Sequence, residues 1–128
     1  MTDLAYLAVA GALGAVGRYL VGGWAYRVLG TDLPWGTLLV NLSGCLLLGF
    51  VMQLGYVSVA LPRATRLAIS VGFLGSFTTF STFGYETMRY LENGAWLLAL
   101  TNVALNLMAG LLAVWVGISL AKTIPISV

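Results

Sequence analysis

Gly72-Phe73-Leu74-Gly75-Ser76-Phe77-Thr78-Thr79-Phe80-Ser81-Thr82-Phe83-Gly84 is the stretch on which the fold turns. It lies inside a hydrophobic segment running from about Leu67 to Leu91. Three Gly, four Phe and five hydroxyl residues nevertheless share its thirteen positions. Gly lowers helix stability and tolerates strained backbone. Ser and Thr offer the main chain local hydrogen bonds that compete with the helix ladder. Together they predict a helix that breaks near the middle of a membrane span. Broken backbone survives at that depth only where it is buried in protein or lines a polar cavity. Transporters and channels often place ion sites there.

Working outward, a span needs roughly 20 mostly apolar residues, and four segments qualify: about 4–29, 35–59, 63–91 and 95–120. The links are short. Gly30-Thr31-Asp32-Leu33-Pro34 joins the first two spans, with Pro34 suited to a first helical turn. Ala60-Leu61-Pro62 precedes the third, and Glu92-Asn93-Gly94 carries helix-stop chemistry after it. Trp24, Tyr26, Trp35, Tyr56, Tyr90 and Trp96 fall near the span ends, as interfacial aromatics do. The expectation is one four-helix transmembrane domain over residues 1–128, with no soluble domain and no internal repeat. The N-terminus, Met1-Thr2-Asp3, has no basic stretch, and the apolar run after it is too long for a signal peptide, so it reads as the first span.

Composition excludes several function classes. The chain is 60% hydrophobic and 8% charged, whereas soluble domains are about a quarter charged. There is no His, and Cys45 is the one cysteine, so neither a Cys/His metal cluster nor an intrachain disulfide is available. A net charge of +2 is too small for a nucleic-acid surface.

Charge leaves topology open. With the N-terminus inside, Arg63, Arg66 and Lys122 lie at inside ends and Arg27 and Arg89 at outside ends. Three against two is a weak bias under the positive-inside rule. Insertion in one orientation and insertion in both, giving an antiparallel dimer, stand about level. Small residues suited to close packing occur at Gly11, Gly14 and Ala15, at Gly44 and Gly49, and at Ala109, Gly110 and Ala113. They serve either packing within the chain alone or a homodimer interface as well.

The polar residues inside the spans are the candidates for chemistry. Asn41 sits within span two and must find partners, because lipid offers none. Asn102 and Asn106, four apart on one face of span four with Thr101 adjacent, extend it into a polar track rather than three separate packing bonds. Amide N–H groups suit an anion and amide carbonyls a cation. Phe80 and Phe83, three apart, share a face. Such Phe usually pack or face lipid, but their positive ring edges can also stabilise an anion in a narrow pore. Ser81 and Thr82 would add hydroxyl donors. Arg18 and Glu86 are ionisable groups inside spans, hence functional candidates. Arg18 would draw anions to a pore mouth. Mutual pairing of the two, or a solvated vestibule, is the plainer alternative. Gly75 and Thr78 flank the expected break, where freed carbonyls can coordinate a cation or be satisfied by nearby hydroxyls.

These residues resemble a known family. Gly72-Phe73-Leu74-Gly75 followed by Thr78-Thr79-Phe80-Ser81-Thr82-Phe83, Gly36-Thr37-Leu38-x-Val40-Asn41 with Gly44 and Gly49, and Gly14-Ala15-x-x-Arg18-Tyr19 occur in the order and spans of the Fluc, or CrcB, fluoride channels. The resemblance covers essentially the whole chain. It implies a bacterial multi-pass protein of the cytoplasmic membrane that is not an enzyme and that exports fluoride passively. It implies an all-α, antiparallel dual-topology homodimer of four-helix subunits, with the third helix broken at mid-membrane and two pores lined by both subunits. It implies Phe80 and Phe83 as pore phenylalanines, Asn41 as a pore amide, Ser81 and Thr82 in the polar track, and Asn106 as a pore-facing position in the more variable fourth span. It also implies a structural sodium ion held by the carbonyls of Gly75 and Thr78 from both chains. Cys45 stands where relatives often have Gly.

Three other functions are distinguishable. A small multidrug-type exporter needs a titratable carboxylate in span one, which holds Arg18 and no acid beyond Asp3. A proton-coupled fluoride antiporter would answer to a pH gradient, and a scaffold would give no flux at all.

Overall fold

The computed structural model describes residues 2–57 and 61–125. It is all helical, with four segments long and apolar enough to cross a membrane: Asp3–Leu29, Trp35–Tyr56, Arg63–Glu92 and Trp96–Lys122. The expected end of span two at Val59 lies outside the described residues. α1 (Thr2–Leu29) and α2 (Trp35–Val57) are uninterrupted. The third segment comprises α3 (Arg63–Leu67), a wider π-type turn over Ala68–Leu74, α4 (Gly75–Phe77) and α5 (Phe80–Glu92). The fourth runs through α6 (Trp96–Ala104), a second π-type turn over Leu105–Ala109, and α7 (Gly110–Lys122).

The ends follow from local chemistry. Gly30 follows α1 with φ +83° and returns its N–H to the Tyr26 carbonyl at 3.2 Å. That left-handed turn is open to Gly without the Cβ penalty. The Pro34 carbonyl accepts the Leu38 N–H at 3.0 Å and starts α2. In the third segment, Thr78 (φ −79°, ψ 158°) and Thr79 (φ −149°, ψ 115°) are extended, so two helical arms meet at two non-helical residues. The Thr79 hydroxyl accepts the Thr82 N–H at 3.2 Å and caps the second arm.

α2 is the central element. It packs along α7 and against α1, while α1 in turn supports the first arm of the third segment and α5 leans on α6. The α2–α7 approach depends on glycine from both sides. A Cβ on Gly49 would overlap the Val114 carbonyl, and one on Gly117 would overlap the Leu46 carbonyl. Backbone thus touches backbone, the form of packing that helices use when lipid removes the hydrophobic drive between them. Gly49 was among the expected small residues; Gly117 was not.

Little of the apolar surface is covered within one chain. Only 6% of the most apolar stretch of α1 is buried. Tyr19, Leu97, Leu100, Met108 and Trp115 are all exposed. A surface this apolar belongs against lipid or another apolar chain. The protein is therefore a multi-pass membrane protein.

Candidate functional site

The geometry centres on Asn41. Its Oδ1 accepts the Thr79 N–H at 2.8 Å, and its Nδ2 donates to the Thr79 carbonyl at 3.1 Å. One side chain thus pairs with both main-chain groups of the second extended residue. Those groups would otherwise stand unpaired, and Thr79 is buried. A continuous helix would send the Thr79 N–H to the Gly75 carbonyl and the Thr82 N–H to the Thr78 carbonyl. Here the first goes to Asn41 and the second to the Thr79 hydroxyl. The carbonyls of Gly75 and Thr78 are thereby released from those donors. The Thr78 hydroxyl does not compensate, because it donates back to Leu74 at 2.9 Å.

From Asn41 the polar chain crosses to span four. The second Nδ2 hydrogen of Asn41 goes to Asn106 Oδ1 at 2.9 Å. Asn106 Nδ2 donates to Asn102 Oδ1 and to the Asn102 carbonyl, both at 3.0 Å. Asn102 Nδ2 donates to Thr87 Oγ1 at 2.9 Å, and Thr87 donates to the Phe83 carbonyl at 2.8 Å. The Asn106 bond into its own ladder falls where α6 gives way to the π-type turn, in keeping with side-chain insertion as a cause of helix irregularity. Thr101 takes no part: it donates to its own Leu97 carbonyl at 2.8 Å. The track expected in span four is thus Asn102 and Asn106 without Thr101.

A groove of about 520 Å³ runs beside this chain, lined among others by Asn41, Gly75, Thr78, Phe80, Phe83 and Asn106. The Phe80 and Phe83 rings lie 5.5 Å apart with planes at 56°, a tilted pair that turns edge toward face. Phe80 is 81% exposed, so the groove lacks a wall on that side within one chain. Cys45 borders the same groove and fits against Gly110 without overlap. Gly44 touches the Thr78 methyl so closely that no Cβ fits there.

Thr82 and Arg18 are elsewhere. They line a second groove of about 310 Å³ with Tyr19, Tyr26 and Thr37. Thr79 borders both grooves. Ser81 is exposed and lines neither, and its hydroxyl lies 3.3 Å from that of Thr79. Arg18 donates to the Ser76 carbonyl, one of the last carbonyls of the first arm, where a cation is favoured by the helix dipole. It does not pair with Glu86. Among the described residues the one salt bridge is the exposed Arg89–Glu92 pair. Glu86 Oε1 instead accepts from Thr37 at 2.8 Å and Tyr26 at 3.1 Å, and its Oε2 is buried without a partner within the chain.

Sequence reasoning missed Thr37, Tyr26 and Thr87 as polar partners. Each sits on a different element from the group it serves. Thr37 did appear within a motif, but nothing local pointed it at Glu86.

A family model described as CrcB-like protein, Camphor Resistance (CrcB), matches residues 5–118. A protein of Citrifermentans bemidjiense named fluoride-specific ion channel FluC is 48% identical across 97% of this chain and 100% of its own length. The protein of that name from Syntrophotalea carbinolica is 49% identical, covering 93% and 97%. Fluoride-specific ion channel FluC 2 of Symbiobacterium thermophilum is 49% identical, covering 92% and 96%.

Proposed function

Because the chain belongs to the CrcB-like family, matched over nearly its full length, we propose that it is a fluoride-selective channel. It lets fluoride leave the cell passively through a bacterial cytoplasmic membrane and so protects against fluoride toxicity. The observation that carries this reading is the groove that brings Asn41, Asn106, Phe80 and Phe83 together. Fluoride is small and strongly hydrated. A pathway for it needs N–H and O–H donors and positive ring edges to replace that water, with binding weak enough for release. Larger halides accept hydrogen bonds less well and fail on size. The membrane potential, negative inside, drives the anion out at about 2.3 kcal/mol per charge per 100 mV.

The working unit in this reading is an antiparallel, dual-topology homodimer, with the Thr78–Thr79 interruption at mid-membrane. Support comes from the open side of the groove. Left open, the groove would set the polar strip of Asn41, Asn106 and Thr78 against hydrocarbon, which solvates such groups poorly. A second copy would close the groove into a pore lined by both chains. Ser81 and Thr82 then add hydroxyls along α5, and Arg18 gives the second groove a positive entrance. The released carbonyls of Gly75 and Thr78 form a donor set of neutral oxygens, which suits a sodium ion. Paired across the dimer, they would hold it as a structural cation. It supplies charge and cross-linking between the two interruptions, while Asn41 and Thr79 keep those carbonyls free.

The test is fluoride efflux from liposomes, read with a fluoride electrode after valinomycin is added in a potassium gradient. Rapid fluoride efflux without chloride flux, lost in Phe80→Ile, is expected. Phe80 is exposed within the chain, so that substitution removes a ring edge without opening a core. A folded protein that passes no fluoride would overturn the channel. A proton-coupled exporter is the second reading, and the unpartnered oxygen of Glu86 is the observation that favours it. Flux driven by a pH gradient at zero potential would select it.

A further inference from the structure

We infer that Thr87 and Asn102 are positioning residues for the anion pathway, an inference that rests on the groove being that pathway. Between Asn41 and Phe83 every hydrogen bond points the same way. Asn41 donates to Asn106 Oδ1, Asn106 to Asn102 Oδ1, Asn102 to Thr87 Oγ1, and Thr87 to the Phe83 carbonyl. The direction is set at the far end. A hydroxyl has one hydrogen, and Thr87 spends it on the carbonyl four residues back, which leaves its oxygen as an acceptor toward Asn102.

Asn102 is 1% exposed, so its amide must turn its NH2 to Thr87 and its oxygen to Asn106. Asn106 must then turn its NH2 inward and its oxygen to Asn41. Both hydrogens of Asn41 Nδ2 are thereby assigned, one to Thr79 and one to Asn106. Fluoride gains an Asn41 N–H by displacing one neutral carbonyl oxygen, that of Asn106. Asn41 Oδ1, which would repel it, stays on the Thr79 N–H. Without the Thr87 hydroxyl the Asn102 amide can rotate by 180° and set its NH2 against that of Asn106, which then keeps only the Asn102 main-chain carbonyl. The Asn106 oxygen is held less firmly toward Asn41, and Asn41 less firmly at Thr79.

Thr87→Val keeps the branched shape and deletes the hydroxyl. Fluoride efflux from liposomes falls roughly tenfold, the order expected of one hydrogen bond's net worth. Thr87→Ser restores the hydroxyl and stays within about twofold of the parent, since a conserved donor–acceptor keeps the direction. Asn102→Leu loses the same factor, and the double variant Thr87→Val/Asn102→Leu loses no more than either, as members of one network do. Thr87→Ala serves as a second, less crowded probe, with folding followed by gel filtration and thermal melting. Parent-like efflux from folded Thr87→Val or Thr87→Ala overturns the inference. So does an equal loss in Thr87→Ser, which would make shape the cause, and so does failure of both Val and Ala variants to fold. Absence of fluoride flux in the parent protein would instead refute the pathway itself.

Discussion

Asn41→Asp changes one NH2 to an oxygen and leaves the shape of the side chain alone. The acceptor contact to the Thr79 N–H, 2.8 Å, survives. The two donated bonds, 3.1 Å to the Thr79 carbonyl and 2.9 Å to Asn106 Oδ1, become contacts between oxygens. Each bond is worth about 1 kcal/mol net, and each acceptor left buried and unpaired costs about 1–3 kcal/mol more. Asn106 cannot relieve the clash by rotating, because its NH2 faces two acceptors on Asn102. A loss of about 4 kcal/mol or more in stability is therefore expected from these terms. For transport, a carboxylate about 4 Å from fluoride at an effective dielectric constant near 20 adds about 4 kcal/mol of repulsion. That corresponds to roughly a thousandfold slower efflux. The assay is the same liposome efflux with valinomycin, alongside thermal melting in detergent. Asn41→Asp protein that stays folded and conducts within about threefold of the parent would refute both the placement of Asn41 on the pathway and the dielectric estimate.

Three further outcomes are expected. Arg18→Gln removes the cation that caps the first arm at Ser76, lowering stability by about 1–2 kcal/mol in melting experiments and slowing fluoride efflux; unchanged melting would show that the cap contributes nothing. Gly117→Ala forces a methyl into the Leu46 carbonyl and to 2.9 Å from the Phe50 nitrogen, so α2 and α7 separate at a cost of about 1–3 kcal/mol, visible as a lowered melting temperature. Exchange of sodium for N-methylglucamine during purification lowers the melting temperature if the Gly75 and Thr78 carbonyls hold the cation, and an identical melt in both buffers would count against that site.

The four spans were legible because each is a long apolar run between short turn-forming links, and bilayer thickness sets the required length. Among the described residues, the helix limits fall close to the expected ends at Leu29, Trp35, Arg63 and Leu91, since Gly30, Pro34, Pro62 and Gly94 act locally. What holds the main chain at Thr79 was not legible from Gly72–Gly84, because the partner is Asn41, 38 residues away on another helix. The same applies to Glu86, which meets Thr37 and Tyr26 across two other spans. Arg18 was legible as a charge within a span, but opposite sign alone suggested Glu86, whereas a helix end supplied the partner. Thr87 gave no signal: a Thr bonded to its own preceding turn is commonplace, and only its second contact gives it meaning.

The grip of Asn41 on Thr79 also bears on how the protein is made. On its own, span three has no amide to take the Thr79 N–H, and the Gly75 carbonyl four residues back is the nearest substitute. Entering the bilayer before α2 docks, it would be an unbroken rod: 30 residues at 1.5 Å each come to about 45 Å, half as long again as the hydrocarbon layer. Such a rod must tilt. Docking against α2 trades the helical bonds of Thr79 and Thr82 for the three that Asn41 makes and the cap from the Thr79 hydroxyl, and the rod shortens into two arms. Insertion would then come before the interruption, and an early, tilted form of span three would be the species on which quality control acts.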